Sequence, residues 1–247
     1  MQIGLTKDAG ASQKSRTART CNLLREAIVN AQLRPGQKLR IDELGKTFDA
    51  SIGAVREALS RLTAEGLVIA QPQKGFVVAP ISRRDLIDLT EVRIDIENRC
   101  LAASIRSGDL DWEVELLSLH HRLKALGSKY LDKNAEEANQ WHLVHERFHD
   151  QLTAACGNSW WLKLRRQLYT QSERYRRLSG PLDSKGRDIR VEHGAIADAA
   201  LARDAKTAKA AMTDHLRRTC DIILQSDIPF SDPDEITRSG DTRFKAG

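Results

Sequence analysis

The stretch from Gln32 to Pro80 constrains this chain most, because two helical patterns and two short extended runs are crowded into it. Ile41, Leu44 and Phe48 mark a short helix after a Pro35-Gly36 turn. Val55, Leu59 and Leu62 recur at helical spacing in a second helix and leave Arg56, Ser60 and Arg61 on its other faces. Ser51 precedes that helix as an N-cap, and Gly66 ends it. Leu67-Val68-Ile69 and Gly75-Phe76-Val77-Val78 then read as two strands joined at Pro72-Gln73-Lys74. Two helices about a tight turn, followed by a hairpin, make a winged helix-turn-helix. The second helix of such a unit is shaped to enter a major groove.

Charge supports a nucleic-acid partner. Residues 1–80 hold 12 Lys/Arg and 7 Asp/Glu of the chain's 39 and 34, so the remainder holds 27 of each. The whole excess of +5 therefore lies with the helix-turn-helix stretch, as phosphate neutralisation requires. Cys21, Cys100, Cys156 and Cys220 are scattered without paired spacing, which fits reduced, buried thiols rather than a disulfide framework. No apolar run approaches the ~18 residues of a membrane span, and the N-terminus lacks the apolar core of a signal peptide. A soluble cytoplasmic protein with no membrane partner is expected.

The chain divides into a mobile arm at 1–15, a winged helix-turn-helix domain at 16–79, an all-helical domain at 80–226 and a disordered tail at 227–247. In the first domain a helix carrying Leu24, Ile28 and Ala31 precedes the Pro35-Gly36 turn. Ala79-Pro80-Ile81-Ser82 is a short linker, with Ser82 capping the next helix. Beyond it, periodicity predicts about six helices, at 83–106, 109–129, 132–156, 159–178, 184–203 and 204–225, joined by short connections as in a bundle. The expected fold is mainly α.

Histidines fall on stripes of this bundle that should face its core. His145 and His149 lie one turn apart within the apolar face Trp141, Val144, Phe148, Leu152 and Cys156. His193 shares a stripe with Ile189, Ile196 and Ala200, and His215 with Met212, Thr219 and Ile222. An inward polar side chain needs a partner. Either each histidine is separately satisfied, or one divalent transition ion satisfies all four; neutral imidazole suits Zn²⁺ best, with Ni²⁺ or Mn²⁺ as alternatives. His120, His121 and His142 have no such context and read as surface residues. Arg93 occupies the stripe Leu86, Leu89, Ile96, Cys100. It is set either to grip a carboxylate by two hydrogen bonds or to pair internally with Glu97 one turn away.

With these residues in place, the chain resembles the GntR transcription regulators of the FCD type (the FadR-like branch) over residues 17–225. The DNA-binding part carries Leu33-Arg34-Pro35-Gly36, Val55-Arg56-Glu57-Ala58-Leu59, Arg61-Leu62, Glu65-Gly66-Leu67-Val68 and Gly75-Phe76-Val77-Val78. The effector part carries Glu91-Val92-Arg93 with Glu97, Phe148-His149, Gly157-Asn158, Glu192-His193, Arg203-Asp204 and His215. The resemblance implies that His149, His193 and His215 bind a metal ion that helps hold a small carboxylate, with Arg93 and Asn158 as further ligand contacts. It departs at His145, where the family has an acidic or amide residue, so His145 is either a fourth ligand or a neighbour of the ion. It departs again at Ser51-Ile52-Gly53-Ala54, where the common Ser-Arg-Thr-Pro supplies an arginine to DNA. Arg56 then remains as the matching contact, with Arg40, Ser51, Ile52 and Gly53 around it and Lys74-Gly75 at the wing tip. Lys38-Leu39-Arg40, Gln73-Lys74-Gly75, His145-x3-His149, Cys156-Gly157 and Arg174-Tyr175-Arg176 are similar to the glutarate-responsive repressor group.

The resulting expectation is a homodimeric repressor that reads an imperfect palindrome in double-stranded operator DNA and is released by a small carboxylate such as glutarate. A metal sensor that ignores carboxylates is the alternative. A metal-dependent enzyme is a third, since a histidine-bound ion in a bundle can activate water, but neither a Gly-rich phosphate loop nor a nucleophile motif accompanies it.

Overall fold

The computed structural model describes residues 7–130, 135–179 and 187–231, with side chains at 16–127, 140–179 and 187–231. Residue contacts divide the chain into two units. One holds the residues up to Asp85, together with Glu173–Leu178 and the stretch from Pro229; the other holds Leu86–Ser172 and Ser179–Ile228.

The first unit opens with α1 (Lys7–Val29), which starts inside the stretch expected to be an arm. Ala9, Ala11, Gln13 and Lys14 are all strong helix formers, which accounts for the difference. Residues 1–6 of that arm lie outside the described residues. Leu24 and Ile28 are buried, while Ala31 lies past the helix end with φ 60°. The helix-turn-helix is α2 (Ile41–Thr47) and α3 (Ile52–Ala64). Ser51 caps α3 as expected, its Oγ accepting from the Ala54 N–H at 3.2 Å. Gly45 permits the tight turn, since a Cβ there would lie 2.9 Å from the Ala50 carbonyl oxygen. Gly66 (φ 74°) closes α3, and the Leu67 N–H reaches back to the Leu62 carbonyl at 3.0 Å.

The wing is β2 (Val68–Gln71) antiparallel to β3 (Gly75–Val78), and β1 (Lys38–Leu39) pairs with the other edge of β3. β1 was not anticipated, because two residues carry no periodicity. Leu24, Val55, Leu59, Leu62, Leu67 and Val78 are fully buried in this unit's core, each worth about 1.5–3 kcal/mol on removal from water. The end of the next domain's fourth helix joins the same unit. There Tyr175 is fully buried; its hydroxyl donates to Asp85 Oδ2 at 2.5 Å and accepts from the Ser82 N–H at 3.3 Å. Ser82 Oγ caps the following helix through the Asp85 N–H at 3.1 Å, as predicted.

The second unit contains α4 (Arg83–Ser107, shared at its start), α5 (Leu110–Tyr130), α6 (Ala135–Thr153), α7 (Ser159–Leu178, shared at its end), α8 (Ile189–Leu201) and α9 (Ala205–Leu224). Helices expected at 132 and 184 would begin in or before residues outside the described set. α8 starts at Ile189 because Asp188 caps it, accepting from the Arg190 N–H at 2.9 Å. The predicted 132–156 helix loosens into a 3-10 turn at Ala154–Cys156 before Gly157, whose φ is 72°. Trp112, Leu116, Trp141, Phe148, Leu152, Ile196, Met212 and Leu216 form the core. Part of the expected tail is ordered: Ile228 is buried, and the Ser231 N–H donates to the Ile81 carbonyl at 2.8 Å. Two large apolar residues, Ile228 and Phe230, explain why this stretch does not stay in solvent. Residues 232–247 lie outside the described set.

Candidate metal and effector site

Helical periodicity carries the histidines inward on three helices. α6 supplies His145 and His149, α8 supplies His193 and α9 supplies His215, with 3%, 0%, 1% and 4% exposure. One ring nitrogen from each lies within 4.8 Å of the others. Ring centroids are 4.5 Å apart for His145–His149, 5.0 Å for His145–His193 and 4.8 Å for His193–His215. Burial, reinforced by the neighbouring His215 and by the Arg93 and Arg165 charges, pushes His149 well below the ordinary imidazole range. Burial does the same to His193, with His215 adding to it, and burial lowers His215 against the opposing pull of Glu192. Neutral rings keep the lone pairs that a metal needs.

Whether the donor set fits a metal is decided by what these nitrogens bond to. Among the described residues neither ring nitrogen of His149 has a hydrogen-bond partner, nor does Nε2 of His193. Leaving buried polar atoms unpaired costs about 1–3 kcal/mol each. His215 Nδ1 lies 2.9 Å from Glu192 Oε2, which leaves Nε2 for another partner. His145 Nδ1 lies 3.4 Å from the Tyr169 hydroxyl. The cluster could hold a metal ion, and its chemistry fits one.

Arg93 is buried, as its stripe predicted, and its internal pairing with Glu97 is a loose one. Nη1 donates to Ser172 Oγ at 2.7 Å, and Nε lies 3.6 Å from Glu97 Oε1 without a hydrogen bond. The guanidinium stacks 5.0 Å over the Tyr169 ring. Fully buried Glu97 accepts instead from Arg165 Nε at 2.8 Å, and Arg165 Nη1 donates to Asp150 Oδ1 at 2.6 Å. Burial lowers Arg165, but Glu97 and Asp150 outweigh it and hold the guanidinium above its ordinary range.

Asn158 does not join this group. It is exposed, and its Oδ1 accepts from the Trp160 and Trp161 N–H groups at 3.1 and 3.0 Å, capping α7. His142 is buried rather than on the surface, its ring edge-on to Trp141 at 5.3 Å, whereas His121 is exposed. Reading stripes missed Glu192, Arg187, Arg165 and Tyr169. Arg165 and Tyr169 could have been found as one inward face of α7 with Ser172. Glu192 bonds a histidine on another helix, so no spacing within one helix reveals its bond to His215.

In the first unit, Ser51, Ile52, Gly53 and Arg56 are all exposed at the start of α3. Lys74 and Gly75 are exposed at the wing tip, where Gln73 (φ 61°) and Gly75 (φ 92°) make the turn. Arg40 is exposed before α2 and pairs with Glu43 at 3.2 Å.

Two domain matches follow this division, except that the second also takes in Glu173–Leu178 of the first unit. Residues 17–78 match the bacterial regulatory proteins of the gntR family, and residues 88–218 match the FCD domain. The chain belongs to the GntR family of regulators, with an FCD domain. This GntR regulator is 37% identical over 215 residues to the uncharacterized HTH-type transcriptional regulator BphR of Paraburkholderia xenovorans, covering 87% of this chain and 88% of that one. It is 32% identical to the HTH-type transcriptional repressor GlaR of Escherichia coli, covering 82% and 93%. The solved structure of E. coli McbR/YncC shares the fold, with a TM-score of 0.71 at 20% identity over 85% of this chain and 97% of that one. The chain is thus a transcriptional regulator and not an enzyme. His145-Glu146-Arg147-Phe148-His149 also has the His-Glu-x-x-His spacing of zinc peptidase helices, but both matched domains belong to regulators. Among the described residues no helix is long and apolar enough to cross a membrane.

Proposed function

We propose that this GntR regulator is a homodimeric repressor released from a palindromic operator when a small carboxylate binds beside a histidine-held metal ion. The observation that carries this is the buried convergence of four imidazoles with unpaired nitrogens on His149 and His193. His149, His193 and His215 would hold the ion, with His145 as the fourth donor; imidazole suits Zn²⁺ best, then Ni²⁺ or Mn²⁺. When bound, the ion supplies a compact double positive charge that favours carboxylate oxygens.

Arg93 orients the anion. It acts together with the buried Arg165, since both guanidinium groups lie against the Tyr169 ring, at 5.0 and 5.7 Å from its centroid. Ser172 holds Arg93 and Glu97 holds Arg165, which keeps both cations in place before a ligand arrives. A dicarboxylate such as glutarate suits a site with two kinds of anion partner. The repressor sign follows the name of the GlaR relative. In the head at residues 16–79, Arg56 reads the major groove, Ser51, Ile52 and Gly53 flank it, and Arg40, Lys74 and Gly75 approach the backbone and minor groove. The exposed Ile52 offers a thymine methyl an apolar contact where relatives place arginine. Residues 80–226 form the effector domain, and the protein works in the cytoplasm.

Thermal unfolding against a carboxylate panel, with and without chelator, tests the reading, because a ligand specific to the folded state raises Tm. One acid that raises Tm, loses that effect on chelation and releases operator DNA is the expected outcome. Operator binding that follows metal concentration and ignores every acid would replace this reading with a metal sensor.

A further inference from the structure

The histidine site has a support that the ligand set does not include. We propose that Glu192 and Arg187 are positioning residues. Glu192 holds His215 with its proton on Nδ1, and Arg187 holds Glu192. A neutral imidazole has one donor and one acceptor nitrogen, and the partner of one decides the role of the other. Glu192 Oε2 lies 2.9 Å from His215 Nδ1 and, as an ionised carboxylate, can only accept there. Arg187 Nη2 also lies 3.5 Å from Nδ1, but the carboxylate contact is the shorter and stronger, so the proton sits on Nδ1 and the Nε2 lone pair is left for the cluster. Among the described residues no hydrogen bond from His149 or His193 reaches a carboxylate, whereas the orientation of His215 is fixed by one.

Glu192 is itself fixed at both oxygens. Arg187 Nε donates to Oε1 at 2.8 Å and Nη2 to Oε2 at 2.5 Å, a two-pronged grip from a guanidinium only 5% exposed. Nη2 also reaches Thr219 Oγ1 at 3.0 Å and the His215 carbonyl at 3.4 Å, so one arginine ties Glu192 to the α9 turn that carries His215. Arg218 adds a looser contact to Oε1 at 3.4 Å. Carboxylate, histidine and metal in series is an arrangement in which losing the carboxylate weakens metal binding by roughly 10–100-fold.

This inference rests on the metal reading above, so its test separates the two. Zinc affinity of the full-length protein is measured by competition with a chromophoric chelator for wild type, Glu192→Gln and Arg187→Lys. The tautomer of His215 is read in the metal-free proteins from its side-chain nitrogen resonances. Glu192→Gln is expected to bind zinc roughly 10–100-fold more weakly and to show His215 with its proton shared between Nδ1 and Nε2. Arg187→Lys keeps the charge but loses the planar grip, and is expected to fall between wild type and Glu192→Gln. Zinc binding within about twofold of wild type, with the His215 tautomer unchanged, overturns the assignment, since a merely structural ion pair would move neither. A wild-type protein that binds no zinc overturns the metal reading instead, and the tautomer still decides this inference. If Glu192→Gln does not fold, Arg187→Lys carries the same two readouts.

Discussion

Replacing Glu97 with glutamine removes a negative charge that two buried arginines share. Glu97 has no exposed surface, Arg165 is bound to it at 2.8 Å, and Arg93 Nε lies 3.6 Å away. Glutamine keeps the shape and one acceptor, so the loss is mainly electrostatic. Arg165 retains Asp150, whose side chain is 40% exposed and so screens it less effectively, while Arg93 retains two uncharged neighbours, the Ser172 hydroxyl and the Tyr169 ring. Breaking a buried pair from one side costs about 3–5 kcal/mol, because the stranded charge stays desolvated. We take the lower end of that range, about 3 kcal/mol, since Arg165 keeps a partner. In a chain of this size each kcal/mol is worth about 2–4 °C, so a fall in Tm on the order of 6–12 °C is expected. The assay is thermal unfolding of both proteins in chloride and in acetate buffers of equal ionic strength. Acetate should restore more of the variant's Tm than of the wild type's, because a small carboxylate entering the effector site beside Arg93 offsets the charge that residue 97 no longer meets. A drop of less than about 2 °C would mean that the two guanidinium groups do not depend on Glu97, and the charge argument fails.

Arg56→Ala should weaken operator binding about 10-fold or more, as expected for a lost base contact of 1–3 kcal/mol, with the melting temperature unchanged; equal affinity in gel-shift titrations would remove α3 from the recognition role. Tyr175→Phe deletes a buried hydroxyl that bonds Asp85 and Ser82, and should cost about 1–3 kcal/mol in denaturant unfolding; no change in midpoint would show the hydroxyl to be idle. Acidification should destabilise the metal-free protein. His149, His193 and His215 have folded-state values depressed by burial, so the unfolded chain takes up protons first. The stability they confer is present above about pH 6.5 and lost as pH falls below it, and a flat Tm from pH 8 to 5 in chelator would contradict that sign.

Much of the site was legible because each histidine announces itself within its own helix. Trp141 to Cys156, Ile189 to Ala200 and Met212 to Thr219 are apolar stripes, and a polar ring inside a stripe points inward whatever the stripe packs against. Arg93 was legible by the same reasoning. What periodicity cannot show is which stripes meet, so Glu192 at His215 and Arg165 at Glu97, each a bond between helices, were out of reach. Asn158 carries a second signal. An asparagine after glycine and before a helical run is also a capping signal, and its oxygen is used locally to cap α7. In the first unit the caps at Ser51 and Ser82 and the turn at Gly66 followed from residue type, whereas β1 depends wholly on pairing with β3.

The spread of the histidines along the chain has a topological consequence. An ion held by His145, His149, His193 and His215 would tie α6, α8 and α9 into closed loops, the widest running from 145 to 215. Such a knot acts on the unfolded chain as a cross-link does. A disulfide closing a loop of that length is worth on the order of 4 kcal/mol in lost chain entropy. Such an ion would staple the bundle without a disulfide, and the staple would open when the metal supply failed.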